Sequence, residues 1–228
     1  MKMLPVAVGV LCAAVVGAGV WVQSAKPAFR GVKVSTYNIK DVPRHPVTKK
    51  MEVDAASFVG EPLPQFRLPD TQGAEIESKK LLGGKPAVVV MTKDGCPCSI
   101  EAQPFFTALA RHYGSDVQFV GLFDAGSQAA KKFKTDFSVP YPILASETDT
   151  VFREFGAKQS VYTYVADQEG TVVQVWPGYN KTMLNDLNLE LSKLSGKQPA
   201  NLDMEMAPEK MTSGCFFFRP VGTDKPAW

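Results

Sequence analysis

The sequence predicts an α/β sandwich, a central mixed sheet flanked by helices, on three observations. Apolar β-type runs at Ala87–Met91 and Val117–Phe123 alternate with stretches of helical spacing. Tyr162–Ala166 and Thr171–Trp176 flank Asp167-Gln168-Glu169-Gly170, the pattern of a hairpin with glycine at its turn. Met183, Leu184, Leu187, Leu191 and Leu194 then recur on one helical face, which covers the sheet. With 228 residues, 45% of them hydrophobic, the chain holds one sizeable core plus appendages. Its net charge is +2, with acids and bases interspersed, so no concentrated basic surface points to nucleic acid.

In chain order, the first feature is Met3–Val22, an almost unbroken apolar run preceded by Lys2. At about 20 residues it is long enough to span a bilayer and exceeds the ~7–15 residue core of a signal peptide. Residues 1–25 are therefore read as a transmembrane anchor, with a signal sequence cleaved after Ala25 as the alternative. Trp21 stands where an interfacial aromatic belongs. Cys12 reads as an apolar residue of the span. Lys26, Arg30 and Lys33 follow the span, and the charge rule alone would keep that side cytoplasmic.

Residues 26–57, rich in Pro, Lys and Val without a sustained period, read as a linker, and His45 within it as a solvated histidine. The domain spans 58–195. Pro62 and Pro64 confine its opening to an edge or irregular strand, and the DTQGAEI segment gives a turn and a short strand. Lys79–Lys85 is a short helix or turn broken by Gly83-Gly84. After the Ala87–Met91 strand a helix runs from Pro97 to about Tyr113, kinked by Pro104, which removes a backbone bond. Ser127–Phe137 is a helix, Pro142–Ala145 a short strand, and Thr150–Phe155 a short helix closed by Gly156. Residues 196–228 form an irregular tail. Its Gly214-Cys215-Phe216-Phe217-Phe218 patch should dock on the domain surface, since contiguous exposed apolar area is costly.

The chemistry is placed in VVVMTKDGCPCSIEAQPFF, Val88 to Phe106. A strand, a polar turn and a helix start carry two thiols there. Cys96 sits at the helix cap and Cys98 in the first turn, where free N–H groups and the helix dipole favour the thiolate. Pro97 suits the first helical position, and Lys93 adds a nearby positive charge. Glu101 reads either as a proton acceptor near the thiols or as a solvated first-turn acid. Trp176 and Tyr179 read as packing residues. The plain alternative for the cysteine pair is two small buried hydrophobes. Cys96, Cys98 and Cys215 in an oxidising compartment imply a pair plus one free or exchanging thiol. No Gly-rich phosphate loop, Ser/His/Asp order or His-rich cluster is present, so no cofactor or metal is expected.

This order of features resembles the thioredoxin-like redoxin families of the alkyl hydroperoxide reductase and thiol-specific antioxidant type. GEPLPQFRLPDTQG is similar to their opening strand, VVVMTKDGCPCSIEAQPF to their active strand and kinked helix, and YTYVADQEGTVV to their penultimate hairpin. DGCPCS with the late SGCFFF resembles an extracytoplasmic, membrane-anchored branch. The resemblance implies a thioredoxin-like sandwich outside the cytoplasm, anchored or cleaved and secreted. It implies thiol-disulfide exchange on protein thiols or disulfides, with Cys96 as nucleophile and Cys98 or Cys215 as resolving thiol. A peroxidase using the same thiols is the alternative enzyme, Cys96 being oxidised by peroxide and condensing with Cys215. A non-catalytic Cu(I)-binding or structural subunit of a membrane assembly is the third reading. Oligomeric state is left open.

The sequence departs from those families at three points. Cys96 and Cys98 are one residue closer than a thioredoxin Cys-x-x-Cys, and such neighbours close only in a strained, labile ring. Val161 stands where thioredoxins have a cis proline. Lys93 stands where peroxiredoxins place Thr or Ser three residues before the reactive cysteine.

Overall fold

The computed structural model describes residues 45–219 of the chain. Its elements are β1 (His45–Pro46), α1 (Lys49–Ala56), β2 (Arg67–Pro69), β3 (Glu75–Glu77), α2 (Ser78–Leu82), β4 (Ala87–Thr92) and α3 (Pro97–Tyr113). They continue with β5 (Gln118–Phe123), α4 (Ser127–Asp136), β6 (Ile143–Ala145), α5 (Thr150–Glu154), β7 (Tyr162–Ala166), β8 (Val172–Trp176), α6 (Lys181–Ser195) and β9 (Thr212–Ser213). The predicted anchor, Cys12, linker residues 26–44 and tail residues 220–228 lie outside the described residues. Among the described residues no helix is long and apolar enough to cross a membrane.

A five-stranded sheet of order β6-β5-β4-β7-β8 forms the centre. β4 runs parallel to β5, β5 parallel to β6, and β7 antiparallel to both β4 and β8. Every residue of β4 is buried, which is why Ala87–Met91 reads as a continuous apolar run rather than an alternation. Its side chains divide between two cores. Val88 and Val90 join the cluster of α3 and α6 residues that holds Cys96 and Cys98. Val89 and Met91 face the opposite cluster with Phe152, Tyr164 and Phe217. The carboxyl end of β4 feeds the turn that starts α3, so a fully buried strand fixes the position of the thiols.

Two parts of the linker reading are corrected. Lys49–Ala56 is a helix, capped by Thr48, whose side chain accepts the Met51 N–H at 3.3 Å. Only Ala55 is buried and Met51 half-buried, so the helix shows too narrow an apolar stripe to register as periodic. His45 is in a strand: β1 pairs antiparallel with β9, and the His45 carbonyl accepts from Ser213 Oγ at 3.1 Å. The early N-terminal segment and the late tail thus meet, a contact between residues too far apart in sequence for any local pattern to signal. α6 starts where Asn180 accepts the Met183 N–H at 2.8 Å and ends at Gly196, in the left-handed region at φ 70°.

Candidate active site

The turn between β4 and α3 is tied to itself. Cys96 N–H donates to the Lys93 carbonyl at 3.3 Å, the Lys93 N–H donates to Ser99 Oγ at 3.1 Å, and Gly95 takes φ 65°. Cys96 is the N-cap of α3, with Pro97 following at the first helical position. The Cys96 carbonyl accepts the Ile100 N–H at 3.1 Å, which opens the helical ladder. Cys98 lies in the first turn.

The third thiol arrives from the tail. Residues 211–218 run along the loop at residues 158–160. Tyr179 and Thr212 exchange backbone bonds at 2.9 and 3.1 Å, Ser160 N–H donates to the Cys215 carbonyl at 3.1 Å, and Phe217 N–H donates to the Lys158 carbonyl at 3.1 Å. The Gly214 N–H donates to the Ser160 carbonyl, and Gln159 Nε2 donates to the Gly214 carbonyl at 3.2 Å. Gly214 has no room for a side chain: a Cβ would meet Ser160 Oγ and come within 2.8 Å of Cys96 Sγ. Phe217 is fully buried, its ring 4.1 Å from that of Phe152. The apolar patch therefore does more than rest on the surface. It inserts, and carries Cys215 into the interior.

Cys96, Cys98 and Cys215 form no disulfide and are all buried, at 0%, 2% and 4% exposure. Cys96 Sγ accepts the Cys215 N–H at 3.2 Å across 119 residues of chain, and the Ser160 hydroxyl at 3.4 Å. Hydrogen bonding from the Cys215 thiol, then from the Cys98 thiol, then from these two groups holds Cys96 far below its ordinary value, against the upward push of burial. Cys98 moves the other way. Its hydrogen bond to Cys96, burial, and the charges of Cys96 and Glu101 push it far up. The site thus favours a thiolate at Cys96, held by thiol donors.

Of two predicted supports, Lys93 is engaged elsewhere and Glu101 departs from one of its two readings. Lys93 was expected to place positive charge beside the thiols. Its ammonium is instead engaged by Asp124 Oδ2 at 3.0 Å in a buried pair, with side chains 7% and 0% exposed. Asp124 also accepts the Asp94 N–H at 2.7 Å and the Phe218 N–H at 3.1 Å, so one carboxylate ties the active turn to the tail. Burial pushes the Asp124 carboxyl up, opposed by the Lys93 charge and these N–H donors. The Cys96 thiolate is thus favoured by hydrogen bonds rather than by a neighbouring cation. Glu101 is not a freely solvated acid: it is half-buried and its Oε2 accepts the Tyr179 hydroxyl at 2.8 Å.

Val161 is buried in the same core as Cys96 and Cys98, and the Ser160–Val161 peptide bond is cis, at the place read as the counterpart of the thioredoxin cis proline. Ser160, Asp124 and Tyr179 are the site residues that the sequence reading missed or took for packing. Asp124 was legible only as the polar end of a strand, and Ser160 only as the neighbour of Val161. Among the described residues no group of three or more His, Cys, Asp or Glu is arranged to hold a metal ion.

The electrostatics carry a pH prediction. Alkylation of Cys96 by a small reagent should be flat from about pH 5 to 8, whereas an ordinary thiol of pKa about 8.5 gains about tenfold per pH unit in that range. The sign follows from the depressed Cys96 value: the thiolate forms at lower pH than in an ordinary thiol, so the rise with pH is moved toward the acidic side. Mass-spectrometric rates at Cys96 in the folded and urea-unfolded chain check it, and a rate that climbs with pH in the folded chain would contradict it.

Comparison with known proteins bears on the family and the fold. The profile of the AhpC/TSA family matches residues 59–175. The chain is 26% identical over 162 residues to the chloroplastic peroxiredoxin Q of Suaeda salsa, covering 68% of this chain and 76% of that protein. It is 26% identical over 161 residues to the peroxiredoxin Q of Sedum lineare, covering 67% and 86%. Among solved structures it is similar to peroxidoxin BcpB of Mycobacterium tuberculosis, with TM-score 0.52 and 22% identity over 61% of this chain and 97% of that one. It is also similar to MTB dsbF, with TM-score 0.51 and 26% identity over 58% and 98%. The fold is thioredoxin-like.

Proposed function

Because this chain belongs to the AhpC/TSA family and is a thioredoxin-like redox protein, we propose that it is a thiol-disulfide oxidoreductase in which Cys96 is the nucleophile and Cys215 the resolving thiol. The carrying observation is the Cys215 N–H on Cys96 Sγ at 3.2 Å, with the Cys215 thiol donating to the same sulfur. The Cys96 thiolate attacks a substrate disulfide, forming a mixed disulfide and expelling one substrate thiolate. Cys215 then attacks Cys96 Sγ, and its proton goes to the second departing sulfur. The substrate disulfide gains two electrons and the enzyme ends with a Cys96–Cys215 disulfide. Run backwards, the same steps oxidise a substrate dithiol. Cys98, whose thiol is pushed far up, serves as a donor that holds the Cys96 thiolate and not as the attacking sulfur. Glu101, which accepts the Tyr179 hydroxyl, contributes negative charge that acts on Cys98.

The test is insulin-disulfide reduction and dithiol oxidation by the reduced and oxidised protein. Cys96→Ser is expected to abolish both. Full activity in that variant would remove Cys96 from the mechanism.

Peroxidase activity is the second reading, favoured by the zero exposure of Cys96 and by relatives named peroxiredoxin. There the thiolate attacks the peroxide O–O bond, becoming a sulfenic acid with release of water or alcohol, and Cys215 displaces a second water to give the same disulfide. Peroxide consumption by the reduced protein separates the readings. We place the domain on the extracytoplasmic side of a membrane, held by the apolar run Met3–Val22, a location suited to stable cycling of a protein disulfide. Release by detergent but not by alkaline carbonate is the expected fractionation.

A further inference from the structure

Cys96 is the proposed nucleophile, yet none of its surface is open. One of its covers stands outside the central sheet. Residues 211–218 add no strand to the five-stranded sheet. Within them, Gly214 lies so close to Cys96 Sγ that even a methyl group would not fit, and the Cys215 N–H and carbonyl engage Cys96 and Ser160. This segment is fastened at both ends. At one end Met211 accepts the Val47 N–H at 3.2 Å and Thr212–Ser213 pair with His45–Pro46. At the other, Phe217 is seated in the core and the Phe218 N–H is held by Asp124, the same carboxylate that holds the active turn.

From this arrangement we infer that the tail segment is the element that sets substrate size. The inference rests on Cys96 being the nucleophile and extends that reading to the class of molecule admitted. Docked, the segment closes Cys96 to macromolecules while holding the resolving thiol in place, so a small oxidant or low-molecular-weight disulfide is processed through a slight local opening that leaves the tail seated. A polypeptide disulfide reaches Cys96 only when residues 211–218 lift away. That movement also withdraws Cys215, so a polypeptide stays bonded to Cys96 until the tail returns. Asp124 couples the two events, because its carboxylate spans the active turn and the tail.

The experiment compares the rates at which Cys96 of the full reduced chain reacts with N-ethylmaleimide and with a maleimide carried on a long polyethylene glycol. Each rate is normalised to the unfolded chain and each adduct assigned by peptide mapping. In the wild type the bulky reagent should be slower at Cys96 by about tenfold or more, as for a site that reacts only from a locally opened minority. Gly214→Ala drives a Cβ into Ser160 and Cys96 and should largely abolish that difference. Phe217→Ser, which removes the anchor in the core, should do the same by a separate route.

Equal normalised rates in the wild type would overturn the inference. So would folded variants, verified by circular dichroism, that keep the wild-type ratio. Failure of the functional reading looks different: Cys96→Ser would retain disulfide exchange, whatever the size dependence of labelling.

Discussion

Replacing Cys215 with serine should leave the first chemical step intact and stop the second. Cys96 would keep its backbone donor, since the N–H at 3.2 Å belongs to residue 215 whatever its side chain, and a serine hydroxyl could still donate. What is lost is a sulfur held against the mixed disulfide. An intramolecular, oriented nucleophile has an effective concentration far above that of any external thiol, so turnover should fall by about 100-fold or more. A Cys96–substrate adduct should accumulate to one per chain after acid quenching and mass spectrometry. Cys98→Ser should be far milder, because a hydroxyl also donates to Cys96. Wild-type turnover in Cys215→Ser, with a Cys96–Cys98 disulfide in its maps, would transfer the resolving role to Cys98.

The largest stability effect is expected at Asp124. Its carboxylate is the partner of a lysine ammonium with almost no access to water, and it accepts two backbone N–H groups as well. Asp124→Ala leaves that charge buried and unpaired, a loss of about 3–5 kcal/mol. For a domain of this size the corresponding fall in Tm is about 6–20 °C. Urea unfolding should show a lower midpoint at an unchanged slope. The double variant Lys93→Met/Asp124→Leu removes both charges and should recover most of the loss. If the single and double variants were equally destabilised, the cost would lie in the lost N–H contacts or the packing and not in the stranded lysine.

These two residues also show where a sequence can be read and where it cannot. Pro97 after Cys96 marked a helix start, and Cys96 is the cap, because the requirements of a first helical turn are local. The hairpin around Gly170 and the face of α6 were legible for the same reason, as glycine at a turn and apolar residues at helical spacing are local rules. α1 escaped notice because so little of it is buried that its apolar stripe is too narrow to register as periodic. Asp124, Ser160 and Tyr179 carried no local signal at all. Each acquires its role from a partner far along the chain: Lys93 and Phe218 for Asp124, Cys96 for Ser160, Glu101 for Tyr179.

What the chain determines by itself is therefore the α/β layering, the placing of a cysteine at the start of a helix, and a tail with apolar surface to bury. Periodicity, capping chemistry and composition act over a few residues and are written in order. Only the tertiary structure decided that Lys93 would be neutralised by Asp124, that the Cys96 thiolate would be held by two thiols and an amide, and that Gly214 would need to lack a side chain. Those outcomes depend on which buried groups face one another across the two cores. Burial makes each pairing strong because water is excluded, and that exclusion is a property of the assembled fold, not of any stretch of sequence.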